Sequence, residues 1–262
     1  MEKVSQNNIE KIIGFFDECE DSCILSAFSG SNGEVYADDE NNPTVALAKV
    51  ADYFYIAGKK GSNNIEEAVR FTDKVHENGD YNIRVFGKEI EEVLKKIYKD
   101  RVYVYSRFAT VRSFENMDFE KLKNVVEEKK KEYELRLIDR ELYSICRETE
   151  WMKNFTIGFD SYKEWKANGL GVLFLKDGVP ISGASSYSSY PGGIEIEIIT
   201  REDFRKQGLA YASGAALLLE CKNRDLIASW DAAHEKSLAL AMKLGYKFLY
   251  EYRIFGIKGL QQ

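Results

Sequence analysis

The chain has 262 residues, 44% of them hydrophobic, with 37 basic against 43 acidic residues and a formal charge of −6 at pH 7. This length predicts one large or two small domains with a real core, and only 3 Pro with no low-complexity tract argues against long disordered stretches. No window of 18 apolar residues is present, which excludes a membrane-spanning helix, and the acidic start MEKVSQNNIEKIIGFFDE lacks the features of an export signal, which predicts a cytoplasmic location.

Ile9, Ile12, Ile13, Phe16 and Cys19 recur at helical spacing and predict a first helix over 5–20, ended by Asp21 and Ser22. Segments 24–28 and 34–37 then read as a hairpin across Gly30-Ser31-Asn32-Gly33. A β-rich run over 44–57 follows Asn42-Pro43, helices at about 64–77 and 88–99 flank a strand over 81–86, and a strand over 101–114 with a charged helix over 118–130 closes the first half. The second half begins with 133–138 and helical segments through Trp165. It continues as an antiparallel meander over 171–176, 181–187 and 194–200, with turns at Asp177-Gly178 and Pro191-Gly192-Gly193. A loop over 201–206, a helix over 207–222, a strand over 226–230, a helix over 235–244 and a strand over 247–255 complete it. The expected domains are residues 1–127 and 128–262.

Cys19, Cys23, Cys146 and Cys221, with only His76 and His234, form no CxxC pair or HExxH helix, so no metal site is expected; Cys19 and Cys23 fit one buried helix face. The Lys-rich segments 95–99 and 129–131 alternate with Glu along helices, and with the negative net charge this predicts no nucleic-acid partner.

The chemistry concentrates in one stretch, where the strand Glu195-Ile196-Glu197-Ile198-Ile199-Thr200 runs into Arg205-Lys206-Gln207-Gly208-Leu209-Ala210. A glycine opening a helix leaves backbone N–H groups unpaired at the positive end of the helix dipole, which suits a diphosphate. Arg205, Lys206 and Gln207 add charge and donors, Gly208 admits close backbone approach, and Ala210 keeps the next turn slim.

Arg205-Lys-Gln-Gly208-Leu-Ala210 resembles the acetyl-CoA-binding signature R/Q-x-x-G-x-G/A of GNAT-type N-acetyltransferases. The segment from Trp230 to Gly245-Tyr246 is similar to that family's later strand–helix unit. In the first half, Gly33-Glu-Val-Tyr-Ala-Asp38-Asp39, Asn42-Pro43 and Tyr53-Phe-Tyr-Ile-Ala-Gly58 resemble the zwittermicin-A-resistance-like branch. The resemblance implies an α/β fold of the α+β type. A C-terminal GNAT domain with a mixed, largely antiparallel sheet would follow a smaller α/β domain. It also implies an acyltransferase that moves acetyl from acetyl-CoA to a primary amine of a small molecule, as a monomer or homodimer. A catalytically degenerate acyl-CoA-binding module, or a transferase using another acyl donor, stays open beside it.

The resemblance assigns Ile198, Ile199 and Thr200 to the pantetheine arm, residues 205–210 to the phosphates, and His234 and Ser237 to further donor contacts. His234 stands where the family commonly has Asn, and Ala241 where many members carry a phenolic acid, so the leaving thiolate's proton is assigned to Ser237, Tyr246 or water. Amine acetylation needs a base, and Glu195 and Glu197, two apart on one strand face, are the candidates, Glu195 first. A backbone N–H near Ile199 or Thr200 is the implied oxyanion donor.

Overall fold

In the computed structural model, which describes residues 1–19, 21–76 and 79–259, the chain opens with the short strand β1 (Glu2–Lys3). Where one helix over 5–20 is expected, it makes a 3-10 turn (Gln6–Asn8), the single-turn helix α1 (Glu10–Ile13) and a second 3-10 turn (Gly14–Phe16). Ile9, Ile12 and Phe16 are buried, so the apolar spacing was real, but Asp21 begins a helix instead of ending one. Its carboxylate accepts the Cys23 N–H at 3.0 Å and caps α2 (Ser22–Ser29), which stops at Gly30 with φ +70°. Segment 24–28 is therefore helical, the expected hairpin does not form, and Cys19 lies ahead of the helix that carries Cys23. Residues 20 and 77, ends of two expected helices, lie outside the described residues.

The run 44–57 folds as two strands, β3 (Val45–Val50) and β4 (Tyr53–Gly58), turned at Ala51 with φ 51°; β2 (Glu34–Ala37) pairs antiparallel with β3. Helix α3 (Ile65–Val75) crosses over to β5 (Tyr81–Phe86), which lies parallel to β4, and α4 (Lys88–Tyr98) and β6 (Val102–Thr110) follow. Next come α5 (Phe119–Lys130), β7 (Glu134–Leu137), α6 (Arg140–Glu148), a 3-10 turn (Glu150–Phe155) and α7 (Tyr162–Asn168). The strands β8 (Gly171–Lys176), β9 (Val179–Tyr190) and β10 (Gly193–Thr200) lead through a 3-10 turn (Glu202–Phe204) to α8 (Leu209–Asn223). The chain ends with β11 (Ile227–Ser229), β12 (Asp231–Ala232), α9 (Glu235–Leu244) and β13 (Phe248–Ile257).

Two units divide these elements, one of residues 1–107 with the described residues from 251 on, the other of residues 108–250. The division falls ahead of the expected boundary at 127/128, because Leu122 and Val126 of α5 are buried in the second unit's core with Leu217 and Leu218 of α8. In the first unit, Val45, Leu47, Phe54, Ile56 and Ile83 pack with Val69, Ile90 and Leu94 of α3 and α4. In the second, strands β7 to β10 form an antiparallel meander and β11 adds in parallel to β10. Strand alternation supplies two apolar faces: Val172 and Phe174 of β8 pack on the α8 side, Leu173 and Leu175 with α6 and α7. The β8–β9 turn takes Asp177 and Gly178 left-handed, at φ 51° and 78°, as that dipeptide predicts. No helix among the described residues is long and apolar enough to cross a membrane.

Candidate active site

The second unit's sheet opens at β10. Ile194, Ile196 and Ile198 pack into the α8 core, so Glu195 and Glu197 share the opposite face with Ile199, as the period of two requires. Strand β10 pairs with β11 only from Gly193 to Glu195, opposite Ile227 to Ser229; the chain then leaves to pair Asp231 and Ala232 with Ala109 and Phe108 of β6. Beyond Glu195 the described residues of this unit give β10 ladder partners on its β9 side alone, and Glu197 to Thr200 are half-buried. An open backbone edge in the interior of a sheet is a place for an extended ligand to pair.

Glu195 marks the point where the strands part. Its side chain is buried, 5% exposed, and Oε1 accepts the Asp231 N–H at 2.6 Å, a charge-assisted bond that fixes the carboxylate. The β9 register shifts at the same place: Glu195 lies opposite Ser188 and Ile196 opposite Ser186, which leaves Tyr187 as the bulged residue. Thr200, five residues past the fork, is turned inward, its hydroxyl 2.7 Å from Ser182 Oγ, which in turn lies 2.9 Å from Ser213 Oγ of α8.

The loop after β10 ends at Gly208, which opens α8 as expected. Lys206 at φ 63° and Gly208 at φ 80° are both left-handed, a turn of the kind that makes anion-binding concavities, and no side chain caps the first amides of α8. A Cβ on Gly208 would meet nothing closer than Lys129 Cε at 3.9 Å, so the face of the loop is open. Arg205, Lys206 and Gln207 are exposed; Arg205 Nη1 lies a loose 3.8 Å from Glu202 Oε1. Leu209 is buried with Phe174 and Ala212, which anchors the helix start, and Ala210 is half-buried beside it.

The remaining predicted residues take more structural roles. His234 Nδ1 accepts the Ser237 N–H at 3.0 Å and caps α9, so its imidazole does the work an Asn does at that position. Ala241 is fully buried. Tyr246, considered as the acid, is a core residue: its hydroxyl donates to the Ala228 carbonyl at 2.8 Å, and burial pushes its pKa well above the ordinary phenol value. Burial likewise pushes the Cys146 and Cys221 thiols up to about 12, as buried inert thiols should behave.

Two residues at the loop escaped the sequence reading. Lys129, read there only as one of the lysines that alternate with Glu along a helix, lies against Gly208, and Tyr133 donates to Gln207 Oε1 at 3.3 Å. The available signal was helical spacing, since Lys129 stands three and seven residues after the buried Val126 and Leu122.

Parallel strands that part beside a glycine-opened helix give this α+β domain an open strand edge next to an anion-suited helix start. The chain belongs to the GNAT acetyltransferase family, whose model matches residues 14–255. It is 25% identical over 230 residues, 85% of each chain, to an uncharacterised N-acetyltransferase of Bacillus subtilis, YdfB. A crystal structure of a GCN5-related N-acetyltransferase-like protein from Streptococcus suis is similar at 31% identity and a TM-score of 0.87, covering 97% of this chain and 98% of that one. The fold alone is shared with a tandem GNAT protein from the clavulanic acid biosynthesis pathway, at 10% identity and a TM-score of 0.55 over 98% of this chain and 97% of that one.

Proposed function

We propose that the protein transfers an acetyl group from acetyl-CoA to a primary amine of a small molecule, a metabolite or an antibiotic. The observation that carries this reading is the fork at Glu195, which places a fixed, buried carboxylate at the head of an open strand edge that runs to an uncapped helix start. The residues fit the donor. The amides of Gly208, Leu209 and Ala210 with Arg205, Lys206 and Gln207 would hold its diphosphate, and Ile198, Ile199 and Thr200 its amide-bearing arm, with His234 and Ser237 as further contacts. The N-terminal segment around Asp38, Asp39, Asn42 and Pro43, similar to the zwittermicin-A-resistance-like branch, supports an antibiotic-like acceptor.

Bound acetyl-CoA supplies the thioester. Glu195 takes the ammonium proton of the acceptor, its orientation held by the Asp231 amide, and the amine nitrogen then bonds to the acetyl carbon as the carbon–sulfur bond breaks. Glu197, on the same face, is the second choice. A backbone N–H near Ile199 or Thr200 stabilises the oxyanion. Ala241 carries no phenol and Tyr246 is committed to Ala228, so the thiolate leaves as such or is protonated through Ser237 or water. The acceptor is small, neither nucleic acid nor membrane, and the compartment is the cytoplasm.

The test is a thermal-shift titration with acetyl-CoA, CoA and ATP, followed by an amine panel read by thiol release. A ligand that binds only the native state at about 100 times its Kd adds roughly 2.7 kcal/mol. Stabilisation by acetyl-CoA and CoA but not ATP, with thiol release on an amine, is the expected result; no shift with any of them overturns the reading. The buried Ala241 favours one second reading, a donor-binding module without turnover, which gives the shift and no thiol release on any amine.

A further inference from the structure

We infer that Lys129 is a third cationic ligand of the donor's diphosphate, beside Arg205 and Lys206, brought to the loop by a helix that precedes the transferase sheet. The inference rests on the acetyl-CoA reading above. Its basis is placement, charge and the looseness of what Lys129 holds now. Leu122 and Val126 turn one face of α5 into the core shared with α8, and Lys129 continues that face one turn further, which aims it at the start of α8. There its Cε is the nearest atom to the side chain that Gly208 lacks, at 3.9 Å. The Tyr133 hydroxyl, donating to Gln207 Oε1 at 3.3 Å, ties the end of α5 to the same loop.

The three consecutive lysines are not equivalent. Lys130 and Lys131 pair closely with Glu127 and Glu128, at 2.9 and 2.6 Å, on solvated side chains 45% and 69% exposed. Lys129 is 21% exposed, its ammonium is 3.7 Å from Glu132 Oε1, and it stands 5.9 Å from the centre of the Tyr133 ring. Neither contact is strong, so the ammonium can turn to an anion at the loop on its four-carbon stem. With Arg205 and Lys206 it surrounds the positive end of a 15-residue helix.

Calorimetric titration of the full chain with CoA and with dephospho-CoA, which keeps the diphosphate and lacks the 3′-phosphate, tests this. Lys129→Met keeps the stem and removes the charge; it is expected to weaken both nucleotides about tenfold. The melting temperature of the unliganded protein should stay as in the wild type, and Lys129→Arg should recover most of the affinity. Lys131→Met should bind both nucleotides as the wild type does. Unchanged affinity of Lys129→Met, or a loss confined to CoA, overturns the assignment, as does an affinity loss that follows a lowered melting temperature. A wild-type protein that binds neither nucleotide overturns the acetyl-CoA reading and this inference with it, whereas wild-type binding with an indifferent Lys129→Met overturns this inference alone.

Discussion

Gly208→Val separates what the loop does for the fold from what it does for a ligand. In the protein the residue sits at φ 80°, where an L side chain costs about 1–2 kcal/mol, but a Cβ there meets nothing closer than 3.9 Å. The fold should therefore lose only about 1–2 kcal/mol, or roughly 2–8 °C in melting temperature at this size. The donor should lose far more. The isopropyl group would stand before the uncapped amides at the start of α8, and each charge-assisted bond to a phosphate is worth about 1.5–3 kcal/mol. Two such bonds amount to roughly 100-fold or more in affinity. Gly208→Ala carries the same backbone cost with a smaller group and should fall between. Differential scanning fluorimetry of the unliganded protein and calorimetric titration with acetyl-CoA give the two numbers independently. Wild-type affinity in Gly208→Val, with the melting temperature lowered as calculated, would refute the assignment of this loop to the donor.

Glu195→Gln keeps an oxygen to accept the Asp231 N–H but cannot take a proton, so turnover should drop about 100-fold or more while acetyl-CoA affinity stays within about twofold; a fully active variant removes Glu195 as the base. His234→Ala removes the cap of α9 and should cost about 1 kcal/mol in a denaturant melt, with His234→Asn close to wild type. Asp38 is held down to about 2: partial burial alone would raise it, but bonds from the Thr44 hydroxyl and amide, the Val45 amide and Asn64 outweigh that. A carboxyl depressed in the folded state stabilises above its unfolded value and loses that contribution as pH falls from about 4 to about 2. Discounted for its solvent exposure this is on the order of 1 kcal/mol, and Asp38→Asn should flatten that part of the acid unfolding curve; an unchanged curve would sink the account.

What the sequence made legible follows the range of the interactions that decide each element. The strands 81–86 and 171–176 and the helix 235–244 were read to the residue, because their patterns are bounded by local turn or capping signals. Segment 24–28 misled because a short apolar run, Ile-Leu-Ser-Ala-Phe, suits strand and buried helix equally. The signal that decides it is Asp21: the residue that looked like a stop is the acceptor for Cys23 N–H, and Gly30 at φ 70° supplies the real end. The β-rich run over 44–57 hid its turn for a similar reason, since Ala51 is left-handed at φ 51° without being Gly, Asn or Asp.

The site divides the same way. Residues 205–210 lean mostly on close chain neighbours, the Arg205 N–H reaching the Glu202 carbonyl at 3.2 Å, so the motif could be read as a string. Glu195 could be placed on a face by alternation, yet nothing local announces that a backbone amide 36 residues later would hold its carboxylate. Lys129 is further still from Gly208 in the chain, and its spacing from Leu122 and Val126 said only that it lay near a buried stripe. Which helix that stripe covers is a tertiary fact, and it turns one lysine of an alternating charged run into a neighbour of Gly208. The charged residues of such a site are thus selected twice: by a local pattern that permits a site, and by a packing choice elsewhere that decides which side chains reach it. The Lys129→Met and Lys131→Met pair measures the second step alone, because both lysines satisfy the first.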